Sequence, residues 1–241
     1  MGKTWTLYKR ELGEFFNSPI AYIAIVVFLV LAGFIASWRI FSAEAPRAEL
    51  RPFLELMPLI MVFLAPALAM RLLAEEKSSG TMELLITMPV TDWQVVLGKY
   101  LAALTVLGLA ILFTLPIPIA MAAMGDLDWG VTAGGYIGLF LMGACYLSIG
   151  LMTSSWAGHQ VIAFIVSIAI CLPFFLLGHE WVTGMLPDGL RPWLQGIFGL
   201  GHHFKNISKG ILDSRDVIYY LSIGAACLLL ATQSLESRKW R

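Results

Sequence analysis

The residues best suited to chemistry form a polar island between two apolar runs: Leu73-Ala-Glu-Glu-Lys-Ser-Ser-Gly-Thr-Met-Glu-Leu-Leu-Ile-Thr-Met-Pro-Val-Thr-Asp92. Glu75, Glu76 and Lys77 concentrate charge there. Ser78-Ser79-Gly80 offers a bend, because glycine accepts backbone angles that other residues refuse. Thr81 can cap a helix whose first turn holds Glu83, where the helix dipole favours a negative charge, and Pro89 stops it. The chemistry on offer is recognition. A short helix over 75–89, held parallel to a membrane surface, would present a charged face to something outside the bilayer. An ordinary loop containing one helical turn fits the same residues equally well.

The other polar groups offer less. His202 and His203, with His179, have metal-ligand chemistry, but adjacent histidines point to different faces of a helix. Asp213 and Asp216 lie too far along for a cage, so the expected state is an interfacial, hydrogen-bonded histidine pair. The chain has no Gly-x-x-x-x-Gly-Lys-Ser/Thr phosphate loop and cannot hydrolyse ATP by that route. Cys145, Cys171 and Cys227 each stand alone in an apolar run, as buried free thiols do. No catalytic residue, metal or cofactor is expected on this chain.

The elements that must position the island are membrane spans. Hydrophobic residues make up 59% and charged residues 13% of 241, with a mean hydropathy of +0.79, whereas soluble domains carry about 25% charged residues. The net charge of zero and the absence of a dense Lys/Arg block exclude a nucleic-acid partner. Residues 3–17 put Trp5, Tyr8, Leu12, Phe15 and Phe16 at helical spacing. Lys9, Arg10, Glu11 and Glu14 fall largely elsewhere on the wheel, which predicts an interfacial helix with aromatics toward lipid and charges toward water. Spans follow at 20–38, 53–73, 93–124, 131–152, 159–177 and 217–234. Pro116 and Pro118 should break the third, and Thr153–Gly158 reads as a short turn. Ala43-Glu44-Ala45 mimics a signal-peptide cleavage site, but the basic region is too long and the apolar run too extended for cleavage. The 178–216 segment is half polar, and Trp181 and Trp193 suit short helices dipping into the outer leaflet. The expected fold is an all-α polytopic membrane protein of about six transmembrane helices in one domain over 1–241.

Glu-Glu-Lys-x-x-Gly-Thr-x-Glu-x-Leu-x-x-x-Pro-Val, residues 75–90, resembles the first intracellular segment of ABC-2 type permeases, where it forms the coupling helix that seats in a partner ATPase. His203-Phe204, then Gly210-x-x-Asp213-x-x-Asp216-Val-x-Tyr-Tyr-Leu-Ser222, is similar to the permeases of gliding-motility-type and copper-processing ABC systems. Together the two matches extend over nearly the whole chain. The resemblance implies that 3–17 is an elbow helix that also touches the ATPase, and that Glu75, Glu76, Lys77, Gly80, Thr81, Glu83 and Pro89 carry the coupling contact. It further implies separate ABC ATPase subunits that hold ATP and magnesium, a second permease copy, and room for a periplasmic or membrane accessory protein. With six spans both termini share a side, and the basic groups flanking them put that side in the cytoplasm of a bacterial inner membrane.

The spans offer only isolated hydroxyls, such as Thr105, Thr114, Ser148 and Ser167, so the expected cargo is amphipathic or lipid-linked, or else the complex transmits force across the membrane. An ion-coupled secondary transporter and a non-transporting anchor are the alternatives. The first is disfavoured because no ionisable residue is expected mid-span. Contacts between two permeases are expected through the glycine-rich fourth span or a hairpin around 181–198.

Overall fold

A computed structural model of the chain describes residues 2–41, 50–81, 90–178, 199–211 and 213–237, together with 182, 184, 189, 195 and 196. The described residues fold as helices: α1 Gly2–Asn17, α2 Pro19–Phe41, α3 Arg51–Ala69, α4 Arg71–Ser78, α5 Asp92–Leu112, α6 Pro116–Met124, α7 Trp129–Trp156, α8 Gln160–Leu176, α9 Leu200–Ile207 and α10 Ser214–Glu236. Thr91 and Gln94 form a capping box at the start of α5. Asp128 Oδ1 accepts from the Gly130 and Val131 amides, and Asp213 Oδ1 from Arg215. No strand occurs among the described residues.

Five stretches are long and apolar enough to cross a bilayer: Pro19–Trp38, Arg51–Ser78, Asp92–Met124, Trp129–Trp156 and Ser214–Glu236. The fifth expected span is α8, whose 17 residues extend only about 25 Å. The break expected at Pro116 separates α5 from α6, with Thr114 Oγ1 donating to the Ile111 carbonyl at the corner. The 178–216 segment is described mainly through α9. Trp181, Trp193 and most of the hairpin around 181–198 lie outside the described residues.

α7 is the axis of the bundle. It is the most buried span, and α3, α10, α8, α5, α4 and α9 all pack against it, while α2 packs on α3 with most of its surface open to lipid. Its glycines are therefore spent within the chain. A Cβ at Gly135 would fall 2.3 Å from Leu54, and one at Gly150 would fall 2.5 Å from the Ala69 Cβ. The close approaches of the glycine-rich span are to α3, α5 and α9 of the same protomer. Gly150→Ala should force α3 and α7 apart at a cost of about 1–3 kcal/mol, lowering the thermal midpoint in mild detergent. Gly33→Ala, which meets no atom within 4 Å on α2, should leave it unchanged.

Thr153–Trp156, expected as a turn, is instead the last turn of α7. Its hydroxyls bond back into the helix, Thr153 Oγ1 to the Gly150 carbonyl and Ser155 Oγ to that of Met152, so these short polar residues remain helical and buried.

Candidate functional site

The site is built where the second span ends. The helix is interrupted after Met70, whose own amide still donates to the Pro66 carbonyl at 2.8 Å. Ser154 of α7 fills that break. Its hydroxyl accepts from the Leu73 and Ala74 amides at 3.1 and 3.0 Å and lies 3.0 Å from the Met70 carbonyl, to which it donates. One turn further, Lys77 Nζ donates to the Ser155 and Ala157 carbonyls, which a finished helix leaves without partners of its own. Ser234 of α10 bonds the same Ser155 carbonyl at 3.2 Å. α4 is thus bolted to the ends of α7 and α10. This corrects the expected extent of the coupling segment: Glu75, Glu76 and Lys77 close the second span rather than open a separate helix.

Beyond them the chain turns. The Ser79 amide donates to the Glu75 carbonyl, the Gly80 amide to that of Lys77, and Gly80 has φ +73°. Such a left-handed residue ends a helix and needs no side chain. The Thr81 hydroxyl lies 2.9 Å from Ser79 Oγ, on the surface. Met82–Pro89, with Glu83 and Pro89, lie outside the described residues.

The elbow closes the site from the other side. α1 crosses α5 at Gly98, where a Cβ would sit 3.0 Å from the Leu7 Cβ. Leu7, Glu11 and Phe15 form its buried stripe. Trp5, Lys9, Arg10 and Phe16 are exposed, as expected for an interfacial helix. Glu11, expected to face water, and Phe15, expected to face lipid, both point into the protein, because this face of α1 lies on α5 and α4 rather than on the bilayer.

At the centre is a buried ion trio. Lys99 Nζ lies 2.8 Å from Glu11 Oε1 and 2.8 Å from Glu76 Oε1, with only 3% of its side chain exposed. One ammonium therefore joins α1, α4 and α5. Two carboxylates on one lysine leave a net charge of −1, and burial pushes the Glu11 carboxyl above its usual range against the pull of Lys99. Around the trio, Arg71 reaches Glu75 at 3.3 Å and lies 5.3 Å from the Phe15 ring centroid, and Arg10 pairs with Glu14. Between α1 and α4 opens a cleft of about 540 Å³ lined by Arg10, Glu14, Arg71, Glu75, Ser79 and Thr81. Among the described residues, Glu76 Oε2 and Arg71 Nη1 are buried without a hydrogen-bond partner. The arrangement has no nucleophile aligned with a base, and its chemistry is that of a charged, braced contact surface.

The sequence expectation that the first turns of the third span carry Lys99 toward the coupling segment agrees with its contact to Glu76. The partner that helical-wheel reasoning missed is Glu11, although it shares the i, i+4, i+8 stripe of Leu7 and Phe15.

At the opposite end, His203 Nδ1 lies 2.5 Å from Asp216 Oδ1, and its ring stacks on Tyr219 at 4.0 Å. Tyr220 donates to the Leu200 carbonyl at 2.7 Å, which ties α9 to α10. Asp213 caps α10. His202 is held below its usual pKa by burial and then by neighbouring His203. Asp216, expected too far along for a metal cage, meets His203 as a hydrogen-bond partner because α9 folds back against α10. No metal-holding cluster occurs among the described residues.

The sequence matches the family model described as ABC-2 family transporter protein over residues 50–232. That match includes Glu76 and Lys99 but not α1, the source of Glu11. The chain is 29% identical over 145 residues to the probable multidrug ABC transporter permease YbhR of Escherichia coli (strain K12), an alignment covering 57% of this chain and 37% of that protein. The corresponding protein of Escherichia coli O157:H7 matches equally. This chain therefore spans little more than a third of the curated relatives it matches.

Proposed function

The chain belongs to the ABC-2 family of transporter proteins, and on that premise we propose that it is a permease subunit whose separate ATPase partners act on the α1–α4–α5 end. The observation that carries this reading is the Glu11–Lys99–Glu76 trio. It makes the elbow, the end of the second span and the start of the third one mechanical unit, at the end bearing the polar 75–90 segment. A push on that segment passes through Ser154 and Lys77 into α7, the axis of the bundle. Closure of ATP-bound partner subunits would in this way reach all the principal spans.

This end is the cytoplasmic one on this reading, with the described start and end of the chain both there: α1 joins Lys99, and Ser234 joins Ser155. The cargo is amphipathic or lipid-linked. The described hydroxyls within the spans are largely engaged with backbone or with each other, as in Thr153–Ser167 and Thr114–Tyr136, and leave no polar track for a hydrophilic solute. The relatives' multidrug description fits the same cargo class. Force transmission through α9 and the 178–216 segment is the second reading, favoured by the His203–Asp216 and Tyr220–Leu200 ties between α9 and α10. The permease works as a pair, in a bacterial inner membrane, and the resemblance of 203–222 to gliding-motility-type and copper-processing systems gives its finer placement.

Site-directed thiol labelling tests the assignment. Cys145, Cys171 and Cys227 are buried, so background reaction is low. Thr81→Cys should react with an impermeant maleimide in inverted vesicles and not in intact cells, and Ile211→Cys, 65% exposed at the other end, should do the reverse. Labelling of Thr81→Cys from outside intact cells would refute the placement.

A further inference from the structure

A second cavity, of about 410 Å³, lies under the elbow on the outer surface of the bundle. Trp5 and Tyr8 of α1 form its upper end. Leu101, Leu104, Thr105, Gly108 and Leu112 of α5 form its floor, and Phe140 of α7 closes one side. Its floor follows the i, i+3, i+4 rows of a single helix and is a furrow rather than a hole. From Leu101 to Leu112 it extends about 16 Å along the α5 axis, close to half of the roughly 30 Å hydrocarbon core. The furrow is thus as long as one leaflet is deep.

Its polar atoms are already used. Thr105 Oγ1 donates to the Leu101 carbonyl at 2.8 Å and lies 3.1 Å from Tyr8 Oη, so the walls offer a ligand apolar surface only. The mouth is different. Trp5 is 57% exposed and stacks on Tyr8, and exposed Lys9 holds its ammonium 5.3 Å from the Trp5 ring centroid. Lys9 makes no ion pair among the described residues, and no acidic side chain lines the furrow.

We propose that this furrow binds one acyl chain of an anionic phospholipid, with the phosphate at Lys9 and the chain running down α5 past Gly108. An apolar channel of leaflet depth, roofed by an interfacial aromatic pair and ending at a lone cation, matches a charged headgroup above a hydrocarbon tail. A second copy would need a protruding apolar ridge to fill the same concavity. The bound lipid would hold the elbow onto α5 beside the Gly98 crossing.

Trp5 fluorescence, taken as the difference between the wild type and Trp5→Phe, reads occupancy in nanodiscs containing brominated lipids. Brominated phosphatidylglycerol should half-quench the Trp5 component at about one-fifth the mole fraction that brominated phosphatidylcholine requires, the preference one surface lysine supplies. Lys9→Gln, a change on an exposed helix face, should abolish the preference and leave phosphatidylcholine quenching unchanged. Gly108→Leu, which puts a side chain into the furrow, should lower quenching by both lipids. Equal quenching by both lipids in the wild type, or retention of the preference in Lys9→Gln, would overturn the proposal. So would a wild-type Trp5 shielded from both lipids in a dimer that Gly108→Leu dissociates, which would assign the furrow to a second copy.

Discussion

Lys99→Met should lower stability by about 3–5 kcal/mol, the cost of leaving buried charge without its counter-ion. Glu11 and Glu76 would then face each other with no counter-ion between them, each losing its 2.8 Å contact. Protonation relieves part of this, because the Glu11 carboxyl is already pushed up by burial and would lose the lysine that opposes it, but the contacts that join α1, α4 and α5 stay lost. The first structural consequence should be release of α1, whose other anchors are the Gly98 crossing and the Tyr8–Thr105 bond. In mild detergent the thermal midpoint should fall, and limited proteolysis should cut the elbow early. The triple variant Glu11→Gln, Lys99→Met, Glu76→Gln removes all three charges and should recover most of the loss, because a neutral replacement of a buried ion group is often tolerated. If Lys99→Met keeps the wild-type midpoint and an intact elbow, the trio does not hold this end together.

If the 75–90 end takes a partner ATPase as proposed, Gly80→Pro should uncouple the permease from it without preventing folding. Proline fixes φ near −65° and has no amide hydrogen, whereas Gly80 has φ +73° and donates to the Lys77 carbonyl. No described residue lies within 4 Å of an added Cβ there, so the expected damage is to the direction in which the chain leaves α4. The 82–90 segment would be aimed elsewhere, while Ser154 and Lys77 still brace α4 to α7. ATPase stimulation by the reconstituted permease should drop on the order of tenfold, the scale of an ordinary coupling free energy. Gly80→Ala, which meets only the backbone penalty of about 1–2 kcal/mol, should fall between. Wild-type stimulation in Gly80→Pro, with normal assembly, would show that the exit at Gly80 does not set the contact.

Much of the fold was legible in the sequence because lipid demands long apolar helices and capping residues mark their ends. The break at Pro116 and the bend at Gly80 follow from local chemistry alone. What local chemistry could not supply was depth and pairing. A stretch of Thr-Ser-Ser between apolar runs looks like a turn, and only the helix break at Met70 explains why Ser154 is buried inside α7. The glycines of α7 announce close packing but not with which neighbour, and the neighbours proved to belong to the same chain. Glu11 and Lys99 are 88 positions apart, so their pairing depends on α1 folding back over α5, which no periodicity in either helix encodes.

The most direct measurement of the central claim is the rate at which Thr81→Cys reacts with an impermeant maleimide in inverted vesicles, first without and then with the partner ATPase. If the α1–α4–α5 end is the surface on which that subunit acts, binding of the ATPase should slow the reaction at Thr81→Cys. Adding ATP should change the rate again, and Ile211→Cys in right-side-out vesicles should be unaffected throughout. The same rate at Thr81→Cys with and without a bound, active ATPase would contradict the account.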